Sequence, residues 1–114
     1  MKIYKILLPP EWRLLKETGR TIGAPIDVCD GYIHFSTSKQ VRQTAVKHFT
    51  KAPKLEVLTC DLSYMREDIK WETSRSGALF PHLYRELMMS DVEWHTTASY
   101  THLRAHETEE NLGF

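Results

Sequence analysis

Residues 30–45, DGYIHFSTSKQVRQTA, predict a β-strand that runs directly into an α-helix, and this junction organises the rest of the predicted fold. The predicted strand covers Tyr32 to Phe35. Because successive side chains of a strand point to opposite faces, Ile33 and Phe35 are expected to face the core. His34 lies on the other face, which lines either a cleft or water. The junction therefore places a titratable ring close to the start of a helix.

The helix is predicted to begin in the turn at residues 37–40, TSKQ, which fits a capping box. In that motif a hydroxyl accepts a hydrogen bond from a first-turn amide, while the side chain three residues later reaches back to the backbone. Apolar residues then recur at helical spacing as far as Phe49. Capping is the favoured role for at least one of the hydroxyls of Ser36 and Thr37, and a cap is compatible with an anion site at the same helix end.

The segment before the junction is predicted to hold one strand, one helix and one loop. Ile3 to Leu8 is an apolar run that is typical of a strand. Pro9 and Pro10 suit the first turn of a helix, and Gly19 is placed to end it. Arg20 to Asp30 carries further glycine and proline and is predicted as a loop.

The segment after the junction is predicted to be mostly strands. They are expected at Lys54 to Leu62, Ile69 to Glu72, Phe80 to Leu87 and Asp91 to His95, with a short helical turn at Ser63 to Asp68 and a polar loop at Thr73 to Ala78. Two early helices followed by a run of strands indicate an α+β fold. We expect a small single domain in which the helices pack on mostly antiparallel strands.

Composition also favours one small globular domain. The chain has 114 residues, of which 41% are hydrophobic and 26% charged. Lysine plus arginine equals aspartate plus glutamate at 15 each, so no net charge draws the chain to nucleic acid or to a membrane. Cys29 and Cys60 fit neither a zinc-ligand spacing nor a redox pair, and the apolar start is too short for a signal sequence or a membrane span. We therefore expect a cytoplasmic protein.

The C-terminal residues 98–114 are predicted not to belong to the domain, which is expected to cover residues 1–97. His102 and His106 lie four apart, a spacing that on a helix suits a pair of metal ligands. However, residues 99–107 read as the in-frame translation of a widely used transposase sequencing adapter. We interpret the tail as non-native sequence and assign no function to these two histidines.

Three short segments concentrate polar and aromatic residues: IHFST at 33–37, KWETSRSG at 70–77 and FPHLYRE at 80–86. Alternation along the third segment puts His82 on the same face as its aromatic neighbours, so His34 and His82 are both expected to face one cleft. Histidine titrates near neutral pH and can transfer protons or hydrogen-bond a phosphate or a ribose hydroxyl. The alternative is a partly buried histidine whose ring is satisfied by a backbone carbonyl.

Other residues of these segments are candidate partners. Glu72 offers a carboxylate, Arg75 a guanidinium that pairs with phosphate, and Tyr84 a ring for stacking. A metal site that joins His95 to the other two strand histidines has no support in their spacing, and we assign no metal. The sequence has no phosphate-binding glycine motif, no nucleophile elbow and no basic aromatic platform, which disfavours P-loop enzymes, serine hydrolases and nucleic-acid binding.

Several motifs occur together in this chain: YKI at 4–6, DGYIHFST at 30–37 followed by Gln40, KWE at 70–72, and GALFPHLY at 77–84. In combination they resemble the domain of unknown function 952 family, and the resemblance covers about residues 2–96. No established activity comes with that family. The resemblance therefore implies a fold more directly than it implies a reaction.

The fold that the resemblance implies is similar to the ADP-ribosyltransferase and RNA 2'-phosphotransferase group. Members of that group bind NAD or an ADP-ribose-like moiety in a cleft between two small sheets. They commonly use residues of an early strand, of a later strand before a helix, and a late glutamate. On this chain Tyr4 occupies the early-strand position and His34 to Thr37 the later one. For the late acid, Glu72 lies within a motif and Glu86 outside any, and the choice between them is open.

The residues and the resemblance together predict a binding cleft. Its catalytic candidates are His34, Glu72 and His82, and its ligand-binding candidates are Tyr4, Ser36, Thr37, Trp71, Arg75, Phe80 and Tyr84. The predicted ligand is a small nucleotide, NAD or an ADP-ribose-like molecule that the chain binds or acts on. If the chain is an enzyme, the implied chemistry is a transfer of the glycosyl or phosphoryl type. The alternative is a non-catalytic ligand-binding or protein-interaction module.

Overall fold

The computed structural model describes residues 1–49, 51–74 and 77–99. The predictions made for Arg75, His102 and His106 lie outside these ranges. Within them, no helix combines the length and the apolar character that crossing a membrane requires.

The described ranges form helices and strands in a mixed order. The helices are α1 (Pro9–Thr18), α2 (Pro25–Asp30) and α3 (Val41–His48). The strands are β1 (Lys2–Leu7), β2 (Arg20–Thr21), β3 (Ile33–His34), β4 (Leu55–Asp61), β5 (Ile69–Thr73), β6 (Leu79–Leu83), β7 (Leu87–Met88) and β8 (Val92–Ala98). Short 3-10 helices lie at Leu62–Tyr64, Arg66–Asp68 and Met89–Asp91.

One antiparallel sheet, in the order β1-β4-β8, forms the middle layer of the domain. Its central strand β4 is buried along almost its whole length because both of its faces are covered. Val57 packs with Val41 and Ala45 of α3 on one face. Leu58 packs with Leu15 of α1 on the other face. The predicted central strand is confirmed.

A second antiparallel sheet, in the order β3-β6-β5, packs its inner face on the α1 side of the first. Ile33 of β3 pairs with Leu83 of β6, and both belong to the same buried cluster as Phe35 and Leu58. The backbones of Tyr4 and Ser36 exchange two hydrogen bonds of 2.8 Å and so connect the two sheets. The α+β fold with antiparallel sheets is therefore confirmed.

The predicted loop at Arg20 to Asp30 is wrong, because this segment contains β2 and α2. The described residues consequently hold three α-helices, where two early ones were predicted. Helix α2 has an N-terminal proline, Pro25, and ends at Gly31, whose φ of 84° is left-handed. Both are ordinary helix boundary signals. They were missed because α2 is short and carries no inward apolar stripe.

The predicted single strand from Phe80 to Leu87 is also wrong, because the chain leaves the sheet after Leu83. Arg85 turns inward there and its guanidinium binds the carboxylates of Asp68 and Asp91. The strand resumes as β7, which pairs with β2 in a separate two-stranded sheet.

The capping box predicted at residues 37–40 forms only in part. The side chain of Gln40 reaches back and accepts a hydrogen bond from the Thr37 amide at 3.0 Å. The side chain of Gln40, the N-cap residue of α3, makes no hydrogen bond to the first amides of the helix. The Thr37 carbonyl accepts hydrogen bonds from the amides of Gln40 and Val41, so a backbone turn leads into the helix.

Strand β8 extends to Ala98, which is buried and pairs with Leu55 of β4. The predicted domain boundary between residues 97 and 98 thus falls at the last residue of this strand. Whether the residues beyond it are native to the protein stays a prediction.

The core makes a stability prediction with a matched control. Leu58 is completely buried at the centre of β4. Leu58→Ala is expected to lower the free energy of unfolding by about 2–5 kcal/mol, because it removes buried methyl groups and leaves a cavity. Leu14→Ala is the same chemical change on α1 at a side chain that is 54% exposed. Urea unfolding of both variants should show a clear loss for the first only; equal losses would contradict the packing described.

Candidate functional site

The outer face of the β3-β6-β5 sheet carries the two histidines that the sequence predicted to share a cleft. His34 and His82 are directly paired across the ladder between β3 and β6. Their ring centroids lie 5.2 Å apart with an edge-to-face geometry. We call this face, with Tyr32, Glu72 and Tyr84, the histidine surface.

Tyr32 covers one histidine of this surface. Its ring stacks on His82 with a centroid distance of 4.2 Å and an interplanar angle of 24°. Its centroid also lies 4.7 Å from that of His34 and 5.3 Å from that of Tyr84. His82 is consequently only 6% exposed although its strand faces outward at this point. The surface is a compact aromatic cluster in which Tyr84 keeps 39% of its area exposed.

Glu72 of β5 ties His82 and Tyr84 together. One of its carboxylate oxygens, Oε1, accepts a hydrogen bond from the Tyr84 hydroxyl at 2.6 Å and lies 2.8 Å from His82 Nδ1. The hydrogen bond from Tyr84, followed by that from His82, holds the pKa of Glu72 below its ordinary value. The same bond to Glu72 raises the pKa of Tyr84 to about 12.

The two acids that the sequence left open lie in different surroundings. Glu72 contacts the histidine surface directly, whereas Glu86 is exposed and pairs with Arg20 at 3.6 Å. Of the two acids that the sequence left open, Glu72 is the one that reaches a histidine.

Asp27 of α2 is a buried acid that contacts the other histidine, His34. Its side chain is fully buried, and Oδ1 lies 2.5 Å from His34 Nδ1 and accepts a hydrogen bond of 3.0 Å from the His34 amide. Oδ2 accepts hydrogen bonds of 2.7 Å from Lys5 Nζ and from the Ala24 amide. A buried carboxylate needs such partners, because transfer of an unpaired charge out of water is costly.

Burial and hydrogen-bonded partners shift the pKa of Asp27 in opposite directions. Burial tends to raise its pKa, but the hydrogen bond from His34 and the Lys5 ammonium outweigh burial and lower it. For Lys5 burial is the larger effect. It lowers the pKa of the ammonium group, although the Asp27 carboxylate tends to raise it. Lys5 also donates to the His34 carbonyl at 3.0 Å, so β1, α2 and β3 meet at this pair.

The second nitrogen of His34 faces a more accessible acid. Nε2 lies 3.0 Å from Oδ2 of Asp30, whose side chain is 36% exposed. The His34 ring itself is 32% exposed, so this edge of the imidazole is the one nearest to solvent. Burial, followed by the negative charge of Asp30, raises the pKa of the adjacent Tyr32.

Some predicted site residues do not join this cluster. The buried Ser36 hydroxyl donates to Thr44 of α3 at 3.3 Å, and Tyr4 packs with the cluster beneath α3. Thr37 belongs to the turn before α3. These residues support the junction that holds His34, and the structure directs Ser36 and Tyr4 to the α3 side of the domain.

The remaining ligand-binding candidates divide between the two faces of the sheet. Phe80 is half-buried, pairs with Glu72, and shares the outer face with His82 by alternation. Trp71 is 39% exposed and, by the same alternation, lies on the opposite face. Lys70, which was not predicted, places its ammonium 4.6 Å from the centroid of the Tyr84 ring.

His95 lies on the other sheet, stacked on Trp12 and 3.0 Å from Glu56. Within the described ranges, no group of three or more histidine, cysteine or acidic side chains is arranged to hold a metal ion. An open groove of about 630 Å³ also lies elsewhere, between Pro9 and the end of α3 at His48 and Phe49. It contains none of the predicted site residues, and we place the candidate site on the histidine surface because the titratable groups converge there.

Residues 6–95 match the family described as Protein of unknown function (DUF952). This chain belongs to that family. The predicted family resemblance is therefore confirmed.

Solved structures of one bacterial protein are similar to this DUF952 chain. The crystal structure of protein CC0527 from Caulobacter crescentus is 43% identical over 85% of each chain, with a TM-score of 0.81. Its solution NMR structure is 44% identical over 83% of this chain and 82% of that one, with a TM-score of 0.75. No curated protein matched. Neither the family description nor the name of CC0527 states an activity.

Besides Lys70, the sequence reasoning missed three residues that contact His34 in the DUF952 chain: Lys5, Asp27 and Asp30. A lysine within the apolar run of β1 is itself a signal, since a buried lysine requires an acidic partner. Asp27 lies two residues after Pro25, where an acid satisfies the first amides of a helix. Both signals were present, but only the fold joins them to His34.

Gly23 makes a testable prediction about the Asp27 carboxylate. A Cβ built on Gly23 would lie 2.3 Å from Asp27 Oδ2, whereas one on Gly31 would meet nothing within 4 Å, and both glycines have positive φ. Gly31→Ala is expected to cost about 1–2 kcal/mol for the left-handed backbone alone. Gly23→Ala should lower the free energy of unfolding further by displacing the carboxylate. Urea unfolding checks this, and equal losses would refute the contact.

The lowered pKa of Asp27 predicts a pH effect on stability. A carboxyl whose folded pKa is below its unfolded value of about 3.9 contributes stability above that value, and the contribution is lost as pH falls through the folded pKa. Other lowered carboxyls, such as Asp61, titrate in the same acid range. The wild type should therefore lose more unfolding free energy than Asp27→Asn between pH 5 and about pH 2. Parallel acid profiles would show that Asp27 contributes nothing.

Proposed function

We propose that the protein binds a nucleotide or an NAD or ADP-ribose-like ligand at the histidine surface, and that its two histidine–carboxylate pairs transfer protons there. The observation that carries this proposal is the direct pairing of His34 with His82, each with Nδ1 held by a carboxylate. Two titratable rings this close, held from opposite sides of one surface, are suited to acid and base roles on a single ligand.

The surface offers chemistry for both parts of such a ligand. The exposed ring of Tyr84, with Tyr32 beside it, provides a face on which a base or nicotinamide ring can stack. The ammonium of Lys70 near Tyr84 and protonated histidines attract a phosphate, while Asp30 and Glu72 accept hydrogen bonds from ribose hydroxyls. A mixture of rings, cations and carboxylates fits a nucleotide better than it fits a purely anionic ligand.

We include in this proposal the finer resemblance to ADP-ribosyltransferases, with transfer of the glycosyl or phosphoryl type as the reaction class. It is supported by the division of six of the described strands between two three-stranded sheets and by the position of His34 just before the turn into α3. In such a reaction Glu72 would serve as the acid nearest to the developing positive charge on the ribose. We further propose that the protein acts in the cytoplasm, which agrees with the free thiols of Cys29 and Cys60.

One observation favours the second candidate, a non-catalytic binding or interaction module. Both ring nitrogens of His34 contact carboxylates, and Tyr32 covers His82. Proton transfer requires at least one of these contacts to open when a ligand arrives. A module that only binds would use the exposed rings and leave these contacts in place.

The proposal predicts ligand-dependent stability. NAD, ADP-ribose and simple nucleotides, each added in excess, should raise the melting temperature if they bind the folded state alone. His34→Ala and His82→Ala should each abolish that shift while the free variant remains folded. His95→Gln, which keeps a donor for Glu56 on the other sheet, is the matched control and should retain it. No shift with any nucleotide would refute the proposed ligand class.

A second measurement on the same samples distinguishes catalysis from binding. Incubation with NAD, followed by NMR detection of released nicotinamide, reports turnover directly. An enzyme should lose release in Glu72→Gln while keeping the thermal shift. A shift without release in the wild type would favour the binding module.

A further inference from the structure

We propose that Asp27 is a positioning residue that holds the His34 ring with the proton on Nδ1, so that Nε2 is the atom presented to a ligand. This inference rests on the proposed function for the statement that a ligand meets Nε2. The placement of the proton itself is a property of the unliganded protein.

The construction of α2 is the first observation that supports it. Asp27 is its buried residue, at 1% exposure, while the flanking Ile26 and Val28 are 58% and 53% exposed. A short surface helix normally buries its apolar side chains and exposes its acids. Here the arrangement is reversed, so α2 contributes an inward carboxylate and little packing. The main effect of this helix is therefore to place one buried acid.

The hydrogen bonds of Asp27 decide which His34 nitrogen carries the proton. An ionised carboxylate only accepts hydrogen bonds. Oδ2 is occupied by donors from Lys5 and Ala24, and Oδ1 by the His34 amide and the His34 ring. Since the ring contacts Oδ1 through Nδ1, that nitrogen has to be the donor. In the neutral ring Nε2 is then the acceptor.

The surroundings of Nε2 suit an atom that exchanges protons with a ligand. It lies on the half-exposed edge of the ring, 3.0 Å from Asp30, an exposed acid at the end of α2. A protonated His34 satisfies both acids at once, because both nitrogens then donate. After Nε2 loses its proton, the contact with Asp30 is no longer a hydrogen bond, and a ligand hydroxyl or phosphate can take that place.

The wild-type protein tests the inference without any variant. Nitrogen-15 NMR of the imidazole rings, recorded above the pH at which the His34 signals stop changing, distinguishes the two neutral tautomers by which nitrogen has a pyrrole-type shift. We expect Nδ1 of His34 to be the protonated atom. A neutral ring with its proton on Nε2 would overturn the proposal.

Asp27→Asn supplies the causal test, with Asp30→Asn as the matched control. In the Asp27→Asn protein, the oxygen of the new side-chain amide is expected to stay with the two donors from Lys5 and Ala24, because the opposite orientation would face NH₂ to both of them. Its NH₂ group then points at the ring and at the His34 amide, which loses its acceptor. His34 should then switch to the Nε2-protonated tautomer, whereas Asp30→Asn should retain the wild-type one. An unchanged tautomer in a folded Asp27→Asn protein would show that Asp27 does not select it. If Asp27→Asn does not fold, the wild-type tautomer alone decides the question.

The ligand titrations keep this inference separable from the proposed function. If His34 has the expected tautomer but no nucleotide raises the melting temperature, Asp27 remains a positioning residue and the proposed ligand class is refuted. If a nucleotide raises the melting temperature but His34 has the opposite tautomer, the proposed ligand class is retained and the role of Asp27 is overturned.

Discussion

The buried carboxylate of Asp27 is the interaction on which this site depends. It receives donors from three elements at once: Lys5 of β1, Ala24 at the start of α2, and His34 of β3. These donors offset the cost of removing the carboxylate from water. Loss of one partner typically costs several kcal/mol, about 3–5 for a broken buried pair. The ion pair thus fixes the central sheet, a helix and the second sheet relative to one another.

In the second sheet, core residues and titratable residues alternate along the strands. Ile33 and Leu83 point into the core, and the next pair in the same ladder, His34 and His82, points outward. Each histidine therefore has a buried apolar neighbour that fixes its backbone. The strands that carry the two rings are thus held in register by core packing.

Sequence patterns could predict the outline of this fold for clear reasons. The alternation around His34, the helix boundaries at Pro9 and Gly19, and the apolar β4 are local signals, and each appears in the structure. Alternation on two motifs also predicted that His34 and His82 face the same side, although their direct pairing across the ladder is known only from the structure. By contrast, α2 was missed because local reasoning expects a helix to bury apolar residues, and this one buries an acid.

The remaining contacts of the site could not be predicted from local sequence patterns, because the residues that form them are separated in the sequence. Lys5 and Asp27 are 22 residues apart and meet only when β1 packs beside β3. The same limit applies to Ser36, whose alternation placed it with His34 but whose hydroxyl turns to Thr44 of α3. Phe35 still joins Ile33 in the core, so alternation continues, but at Ser36 the chain bridges to Tyr4 of β1 and meets α3 instead of the histidine surface.

The strand order of the central sheet has a consequence for synthesis of the protein. Its middle strand, β4, lies between β1, which leaves the ribosome before the other described strands, and β8, which leaves after them. The partners are far apart along the chain: Lys2 and Asp61 are 59 positions apart, and Glu56 and Thr97 are 41 positions apart. Contacts of such long range slow folding, because loop-closure entropy is lost before they form. A nascent chain thus holds an unpaired apolar β4 edge until β8 emerges, and that interval is when it is most open to chaperones or aggregation.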